Sequence, residues 1–501
     1  MGPTLRSRVS SQGVDQIPVV IIGGGICGLL AAERCVREGI SFTLFERNDD
    51  FGGNWVVRAN KYSHLQAHAA LYQWDKHFAL DKKSPFSKVA APKVLETIRG
   101  FAEKYHIGKN TRFGTEVTTV TRKSDRSVLV SYTVVRSGET GTVCASSLFV
   151  ASGILGQQVS LQGRGLPSTK AFKGISSFAG RHQGVECSLG IAGTAEGKDV
   201  VILGTGAFAL EAMEAADRGD ARSITLIARP RDRWIIPYSQ QFKFVFLATG
   251  PFTPRWLACW LINVWMGALY RRAGIAHMQP AFGSAHNFTG QCNDALFQLA
   301  LQGRVQCIVD KVTEVQETAV VLESGAALPC DVLINAQGCE VMYQPPYLAE
   351  LGLDFRKDLH NFAFLGRSPR IGTASDWVWY NVPHGPQKQV ESFFQGQRCI
   401  REGREQEFVD ALQPTPFSGC KGESLVAANP SGFKARNAAY RRTMLAGRAW
   451  WDAAWTRVKL ESSELGTWLL CAVMCGAEAC ALSGWLASPD RAASSKQPGK
   501  P

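Results

Sequence analysis

The amino-acid sequence predicts an α/β fold of two domains, one inserted into the other, followed by a helical C-terminal segment. Two stretches, residues 18–46 and 200–229, each have the order of a strand, a glycine-rich turn, a helix and a second strand. That order is typical of a parallel, Rossmann-like sheet that binds a dinucleotide at its carboxyl edge. The sequence therefore predicts two dinucleotide-binding domains.

The first glycine-rich turn has the spacing of a dinucleotide-binding loop. The β-branched run before it predicts a strand that is buried on both faces. Gly23 permits the tight turn, Gly25 lets a pyrophosphate approach the backbone, and Gly28 lets the helix pack against the strand. Ile26 and Cys27 lie in the first helical turn, where free amide groups face the phosphates.

An acidic residue and a second glycine pair follow this unit. Glu46 comes roughly 18 residues after the last motif glycine, where a carboxylate can accept both hydroxyls of an adenosine ribose. Gly52, Gly53, Asn54 and Trp55 come next. Paired glycines form either an ordinary hairpin or a place where the backbone again approaches a bulky ligand.

The second glycine-rich turn repeats the pattern with one change. Gly204 and Gly206 occupy the first two glycine positions, Ala207 follows, and Ala209 stands in the third. The helix predicted after it ends near a second apolar strand. This spacing predicts a second site for a diphosphate at a helix N-terminus.

Arginines, not an acid, end the second strand of this unit. Arg229, Arg231 and Arg233 follow Ala209 by roughly 20 residues, the spacing that the fold requires. An arginine there pairs bidentately with a 2′-phosphate, which favours NADPH over NADH. A solvated basic turn is the alternative interpretation.

Several motifs resemble the flavin-containing monooxygenases and their Baeyer-Villiger relatives. Residues 45–55, FERNDDFGGNW, are similar to the family pattern E-R-x-x-x-x-G-G-x-W, which lines FAD. The resemblance implies FAD at the first site, with Arg47 among its contacts. Ser152 replaces Thr in the family's A-T-G, and AQG, with Gln337 and Gly338, resembles a later A-T-G. The resemblance spans residues 17–410 and places these residues at the cofactors.

The same resemblance gives a candidate catalytic residue and one departure. In the family, the stretch after G-G-x-W reaches the flavin, often with Asn or His near its reacting edge, and His68 occupies that place. In the signature F-x-G-x-x-x-H, Phe178 stands where the His belongs and His182 where an aromatic belongs. Because of this exchange, the sequence does not predict how efficiently NADPH is coupled to the flavin. A linker segment that only packs is the alternative.

The domain prediction follows the order of these motifs. The NADP domain is inserted in the FAD domain, so the FAD domain consists of two separate stretches of chain. The predicted order is a flexible arm (1–16), the N-terminal stretch of the FAD-binding domain (17–165), the NADP-binding domain (166–330, with a helical insertion at about 238–290), the C-terminal stretch of the FAD-binding domain (331–412), a C-terminal helical extension (413–460), a hydrophobic helix (465–487) and a disordered tail (488–501).

Composition limits the other function classes. The chain has 501 residues, of which 45% are hydrophobic and 20% charged, typical of a folded protein. Its net charge of +12 suits anionic dinucleotides, but no nucleic-acid recognition motif is present. The 14 cysteines form no C-x-x-C pair, which argues against a disulfide reductase. His64, His68 and His77 lack supporting ligands at metal spacing, so no metal is predicted.

Two apolar stretches raise the question of membrane attachment. Residues 256–270 contain three Trp next to basic residues and suit either a helix in a membrane interface or a helix buried in the core. Residues 465–487 are long enough to span a bilayer, but Glu478 in the middle opposes insertion. No signal peptide is visible, so the sequence predicts a cytoplasmic protein, with attachment to an intracellular membrane as the alternative.

The family resemblance also implies an activity. It implies an FAD-dependent, NADPH-consuming monooxygenase, with N,N-dimethylaniline monooxygenase activity as the family's example. In that family, O2 forms a C4a-hydroperoxyflavin that passes one oxygen atom to a small nitrogen, sulfur or carbonyl substrate. The alternatives are an uncoupled NADPH oxidase, another FAD/NADPH oxidoreductase, or a flavoprotein without catalysis.

Overall fold

The computed structural model describes most of the chain between residues 8 and 414. The described residues are 8–9, 15–59, 62–66, 69, 80, 88–153, 155–158, 168–178, 181–182, 185–186, 195–229, 234–240, 255–280, 291–341, 344–355, 357–361, 363–374, 385–412 and 414. The predicted segments 465–487 and 488–501 lie outside these ranges, and so does all of 413–460 except Pro414.

Nine α-helices lie in the described ranges. They are α1 (Ile26–Glu38), α2 (Asn54–Val57), α3 (Ala91–Lys104), α4 (Ala207–Arg218), α5 (Arg255–Arg272), α6 (Ala295–Leu301), α7 (Pro346–Glu350), α8 (Gly385–Arg401) and α9 (Glu405–Ala411).

The strands of the described ranges alternate with these helices. They are β1 (Arg8–Val9), β2 (Asp15–Ile22), β3 (Phe42–Phe45), β4 (Thr111–Arg112), β5 (Thr115–Arg122), β6 (Val128–Val134), β7 (Thr140–Val150), β8 (Leu155–Gln158), β9 (Ile175–Phe178), β10 (Arg181–His182), β11 (Val185–Glu186), β12 (Asp199–Leu203), β13 (Ser223–Ala228), β14 (Ile235–Ile236), β15 (Gln291–Cys292), β16 (Gln306–Val309), β17 (Val312–Val315), β18 (Ala319–Leu322), β19 (Ala327–Pro329), β20 (Val332–Asn335), β21 (Cys339–Val341), β22 (Leu359–His360), β23 (Phe364–Leu365) and β24 (Ile371–Thr373).

The larger sheet is built around β2, the strand that leads into the first glycine loop. Its order is β22-β23-β24-β7-β2-β3-β4, and it runs parallel from β24 to β4. Ile22 pairs with Phe45 on one side and with Val150 on the other. Because β2 is covered on both faces, its continuous apolar run is buried, as the sequence predicted.

Of the predicted N-terminal arm, the structure describes residues 8–9 and 15–16. Arg8 and Val9 form β1, which pairs antiparallel with Gln16 and Asp15 at the start of β2. The pairing gives the backbone polar groups of this edge hydrogen-bond partners, which a mobile arm would leave to water.

The smaller sheet confirms the second α/β unit. Its five strands run parallel in the order β16-β13-β12-β20-β9. β20 belongs to this sheet, although the sequence prediction assigned residues from 331 onward to the FAD domain. The reason is register: Leu203 at the end of β12 pairs with Asn335 at the end of β20, so β20 completes the carboxyl edge of the inserted unit.

The inserted unit is joined to the rest of the chain by two short segments that pair with each other. β8 follows the last central strand of the larger sheet, and β21 follows the last strand of the smaller one. They form an antiparallel ribbon in which Leu155 pairs with Val341 and Gln158 with Cys339. The chain therefore leaves and re-enters the first unit at one place, and the predicted fold class, a nested pair of dinucleotide-binding folds, is confirmed.

The apolar helix α5 packs mainly into the inserted unit. Ile262, Met266 and Tyr270 are buried in its core, and the Tyr270 hydroxyl accepts from the Ile235 amide at 2.9 Å and donates to the Ile235 carbonyl at 3.0 Å. Trp260 remains 49% exposed on the other face. Within the described ranges, no helix combines the length and apolarity needed to cross a bilayer.

The packing of α8 against the larger sheet can be tested by a substitution in β7. Phe149 on β7 is fully buried, and its ring lies 5.1 Å from that of Phe393 on α8. We expect Phe149→Ala to lower the free energy of unfolding by about 3–5 kcal/mol, because it leaves a cavity between the sheet and α8. Val135→Ala, at a side chain that is 54% exposed, is the matched control and should change it by less than about 0.5 kcal/mol. Urea unfolding measures both, and equal small shifts would contradict this packing.

Candidate cofactor sites

The first glycine loop is shaped by contacts that exclude any side chain. Gly23 has φ +105°, and a Cβ atom on it would lie 2.4 Å from the Ala151 carbonyl oxygen. A Cβ atom on Gly28 would lie 1.9 Å from the Gly23 carbonyl oxygen. These contacts bring the strand, the turn and α1 as close together as the predicted motif requires.

The N-terminus of α1 is open toward a second glycine. Gly25 caps the helix without a side-chain hydrogen bond, and no acidic residue lies in the first turn. A Cβ atom on Gly25 would stand 3.6 Å from the Gly53 Cα atom. Ile26 is buried and Cys27 half-buried, so the backbone amides, not side chains, form this surface. Uncapped amides between two glycines fit a diphosphate.

Glu46 lies directly beside this loop. Its Oε2 atom accepts the Gly24 amide at 2.6 Å, and its Oε1 atom accepts the Asn48 amide at 2.8 Å. The Oε1 atom also accepts the Asn48 side-chain amide at 2.6 Å. The carboxylate is buried, and its Oε2 atom keeps capacity for a further hydroxyl donor. Arg47 is exposed and pairs with Glu116 at 3.4 Å. Glu46 is thus in place to hold a ribose.

The second glycine pair adjoins the loop through α2. Gly53 begins this short helix with φ +54°, Asn54 is exposed, and Trp55 is half-buried against the core of the larger sheet. The predicted FAD contacts at positions 53–55 therefore lie together with Gly25. His68, the predicted catalytic residue, lies outside the described residues.

The inserted unit repeats the loop. Gly204 has φ +113°, and a Cβ atom on it would lie 2.5 Å from the Ala336 carbonyl oxygen. Gly206 caps α4 without a side-chain hydrogen bond or an acidic residue in the first turn. Ala207 opens the helix, and Ala209 is buried where it meets the sheet. A second open helix N-terminus results, again suited to a diphosphate.

The two A-x-G motifs occupy equivalent places, one at each loop. A Cβ atom on Gly23 would lie 3.2 Å from the Ser152 amide nitrogen, and one on Gly204 would lie 3.5 Å from the Gln337 amide nitrogen. The Ser152 Oγ atom accepts from Tyr347 Oη at 3.0 Å. Gln337 therefore lies at the second loop, with Gly338 exposed beside it, because β20 pairs with β12.

The basic end of the second unit is only partly described. Arg229 follows β13 directly and is exposed at the carboxyl edge of the smaller sheet. Arg231 lies outside the described residues. The role of Arg229 as a 2′-phosphate contact stays a prediction.

The two units touch through α4, the helix that begins at the second glycine loop. The Ser63 Oγ atom donates to Glu211 Oε2 at 2.6 Å, and the His64 amide donates to Glu211 Oε1 at 3.2 Å. The Cys292 amide donates to Gln66 Oε1 at 3.1 Å. The segment 63–66 therefore runs along the contact between the two units.

The sequence interpretation missed the acidic residues of this contact. Glu211 and Glu214 are buried on α4, and Asn293 donates to Glu214 Oε1 at 2.7 Å while accepting the Leu296 amide as a cap of α6. The available signal was that residues 207–216 are apolar apart from these two glutamates, which indicates a buried helix.

Comparisons with known proteins agree with this geometry. Residues 16–358 match the sequence model of a family described as flavin-binding monooxygenase-like. Dimethylaniline monooxygenase [N-oxide-forming] 2 from Cavia porcellus is 26% identical over 359 residues, which cover 66% of this chain and 63% of that protein. The match thus spans less than two thirds of that relative's length.

Solved structures share the fold. Cyclohexanone monooxygenase from Rhodococcus sp. Phi1 bound to NADP+ is 16% identical with a TM-score of 0.60, covering 86% of this chain and 97% of that one. OTEMO in complex with FAD and NADP is 17% identical with a TM-score of 0.53, covering 79% and 89%. The family match confirms the predicted family resemblance, and its description names a flavin. The solved structures share the predicted fold, and NADP is bound in both of these neighbours.

Substitution of Gly25 tests the first loop. Gly25→Ala keeps an allowed backbone (φ −75°) but places a methyl group in the gap toward Gly53. We expect FAD affinity to fall at least about tenfold, because displacing the diphosphate weakens charge-assisted hydrogen bonds worth about 1.5–3 kcal/mol each. The ratio of flavin to protein absorbance and FAD titration of the apoprotein measure it. Gly100→Ala on α3, where the added atom meets open space, is the control. Unchanged FAD affinity in Gly25→Ala would contradict the assignment.

Proposed function

Because the chain belongs to the flavin-binding monooxygenase-like family, we propose that it is an NADPH-consuming, FAD-dependent monooxygenase. It places one oxygen atom of O2 on a small nitrogen- or sulfur-containing substrate or on a carbonyl compound. The observation that supports this best is the pair of uncapped glycine loops in two nested units that touch through α4.

The chain's own residues would bind and orient the two cofactors. At the first loop, the amides of the first α1 turn hold the FAD diphosphate, Gly53 leaves room for it, and Glu46 Oε2 accepts a ribose hydroxyl. FAD, when bound and reduced, supplies the chemistry that activates O2. Trp55 forms one wall beside that site, where it excludes water from the reacting region.

At the second loop, the chain would hold NADPH in the same way. The first turn of α4 holds its diphosphate, and Ala209 allows the helix to lie close to the sheet. Arg229 pairs with the 2′-phosphate. His68 is the candidate residue near the reacting edge of the flavin, in a segment that adjoins the contact between the units.

Two substrate classes fit the proposed reaction type. The Cavia porcellus relative is named for N-oxide formation and the Rhodococcus neighbour for cyclohexanone oxidation. An electrophilic oxygen donor suits amines and sulfides, and a nucleophilic one suits ketones. We place nitrogen and sulfur centres first, because the sequence match to the N-oxide-forming relative is the higher of the two.

Product stoichiometry tests the proposed activity. The FAD-loaded protein is supplied with NADPH and, in turn, with a tertiary amine, a thioether and a cyclic ketone. We expect close to one oxygenated product per NADPH consumed with at least one class, measured by mass spectrometry and by absorbance at the NADPH band. Hydrogen peroxide in amounts equal to NADPH with every class would overturn the proposal and favour an uncoupled oxidase, for which Phe178 at the signature position is the specific reason.

Arg229 provides a test of cofactor choice. We expect Arg229→Gln to raise the KM for NADPH by about 10-fold to 100-fold and to leave that for NADH unchanged, because a charged hydrogen bond is worth about 1.5–3 kcal/mol. Stopped-flow reduction of the flavin measures both. Arg304→Gln is the control, since Arg304 lies at the opposite edge of the same sheet and pairs with Asp217 at 3.1 Å. An equal effect on NADPH and NADH would remove Arg229 from the 2′-phosphate site.

A further inference from the structure

Two carboxyl groups are buried where the inserted unit meets the first unit. Glu211 and Glu214 lie one turn apart on α4 and are 5% and 6% exposed. Both lie beyond the first turn of α4, and neither is needed to hold a cofactor. Buried carboxyl groups carry a large desolvation cost, so they remain only where partners satisfy them.

The two carboxyl groups differ in their partners. Glu214 has charged partners: Lys88 Nζ lies 3.4 Å from its Oε1 atom, and Arg218 lies 3.4 Å from its Oε2 atom. Among the described residues, the donors to Glu211 are neutral, namely the Ser63 hydroxyl and the His64 amide. Ser63, His64 and Lys88 all belong to the first unit, so both carboxyl groups link the two units.

We propose that Glu211 is a proton-operated latch, which holds the inserted unit against the first unit while it carries a proton and releases it on ionisation. A protonated Glu211 accepts the His64 amide on one oxygen and donates the proton of the other to the Ser63 hydroxyl, which turns to accept it. No second bare negative charge is then placed beside Glu214. When the carboxyl ionises, its charge is buried among neutral donors, and opening the contact to water relieves that cost. The proton then passes to solvent.

The surrounding titratable groups set the direction of the pH dependence. Burial raises the pKa of Glu211 to about 8, with the charge of Glu214 adding to the shift and the Ser63 and His64 donors and Lys88 opposing it. Burial and Lys88 lower the pKa of His64 below its ordinary value of 6.5, against the charge of Glu214. Among the described residues, the buried His64 Nδ1 atom has no hydrogen-bond partner, which suits a neutral ring.

The pH window follows from these two groups. Closing binds a proton at Glu211 between its ordinary pKa of 4.5 and about 8. Below pH 6.5, closing also releases a proton from His64, which opposes the Glu211 effect. Between pH 6.5 and about 8, the Glu211 effect dominates, and the closing equilibrium falls by up to about tenfold per pH unit. The contact therefore weakens as the pH rises through this range.

Hydrogen exchange at the contact tests the latch in the FAD-loaded full chain. The reporter is the peptide that contains residues 62–66, since the His64 amide donates directly to Glu211. After correction for the intrinsic pH dependence of exchange, we expect its protection factor to fall by up to about tenfold per unit between pH 6.5 and 8. A peptide that covers α1, within the first unit, should show constant protection.

Three variants separate the latch from a structural role. Glu211→Gln keeps the acceptor but cannot ionise, so protection should stay constant above pH 6.5. His64→Gln should make the fall in protection below pH 6.5 steeper, because no proton release from His64 then opposes the Glu211 effect. Asp217→Asn, on the same helix but paired with Arg304, should behave as the unchanged chain does.

The test of the latch can fail or succeed independently of the test of the proposed reaction. A pH slope that persists in Glu211→Gln, or a flat profile in the unchanged chain, would overturn the latch. Because exchange reports the contact and not turnover, a chain that forms only hydrogen peroxide would overturn the proposed function while leaving the latch intact.

Discussion

The arrangement of both sheets depends on two helix N-termini that have no side-chain caps. An α-helix leaves its first amides without partners inside the helix, and here the residues that could cap α1 and α4 are Gly25 and Gly206. Each loop is held so tightly by a neighbouring carbonyl that no side chain could be added at Gly23 or Gly204. The parallel sheets are what place those carbonyls, since each lies at the end of the strand beside the loop strand.

In the proposed reaction, the contact between the units determines whether the two cofactors can meet. Hydride transfer needs the reacting atoms within about 3–3.5 Å, so the units must meet in one defined arrangement. The observed contact uses α4, whose N-terminus is the second phosphate loop, and the segment 62–66, which precedes His68. A change at this contact therefore bears directly on the distance between nicotinamide and flavin.

The spacing of the motif glycines predicted the two loops. It did not predict the contacts between distant segments of the chain. Gly23, Gly25 and Gly28 follow a fixed spacing within one strand, turn and helix, so their roles could be inferred from the sequence. The Ala151 carbonyl that lies against Gly23 could not. Gln337 was expected in the FAD domain, but strand pairing places it at the second loop. Glu211 gave no local sign of its partners, because Ser63 is 148 positions away in the chain. The position of a residue in the sequence does not identify such a partner. The order of the strands in the sheets, which brings the two residues together, has to be known as well.

The ribbon formed by β8 and β21 has a consequence for how this architecture can change. The first and last residues of the inserted unit lie side by side, with Leu155 opposite Val341. Adjacent ends allow a whole segment to be removed or exchanged without disturbing the host sheet, since a short turn can close the gap. The inserted unit could therefore be exchanged as a whole. A related reductase domain with similarly spaced ends could be grafted at the same two positions.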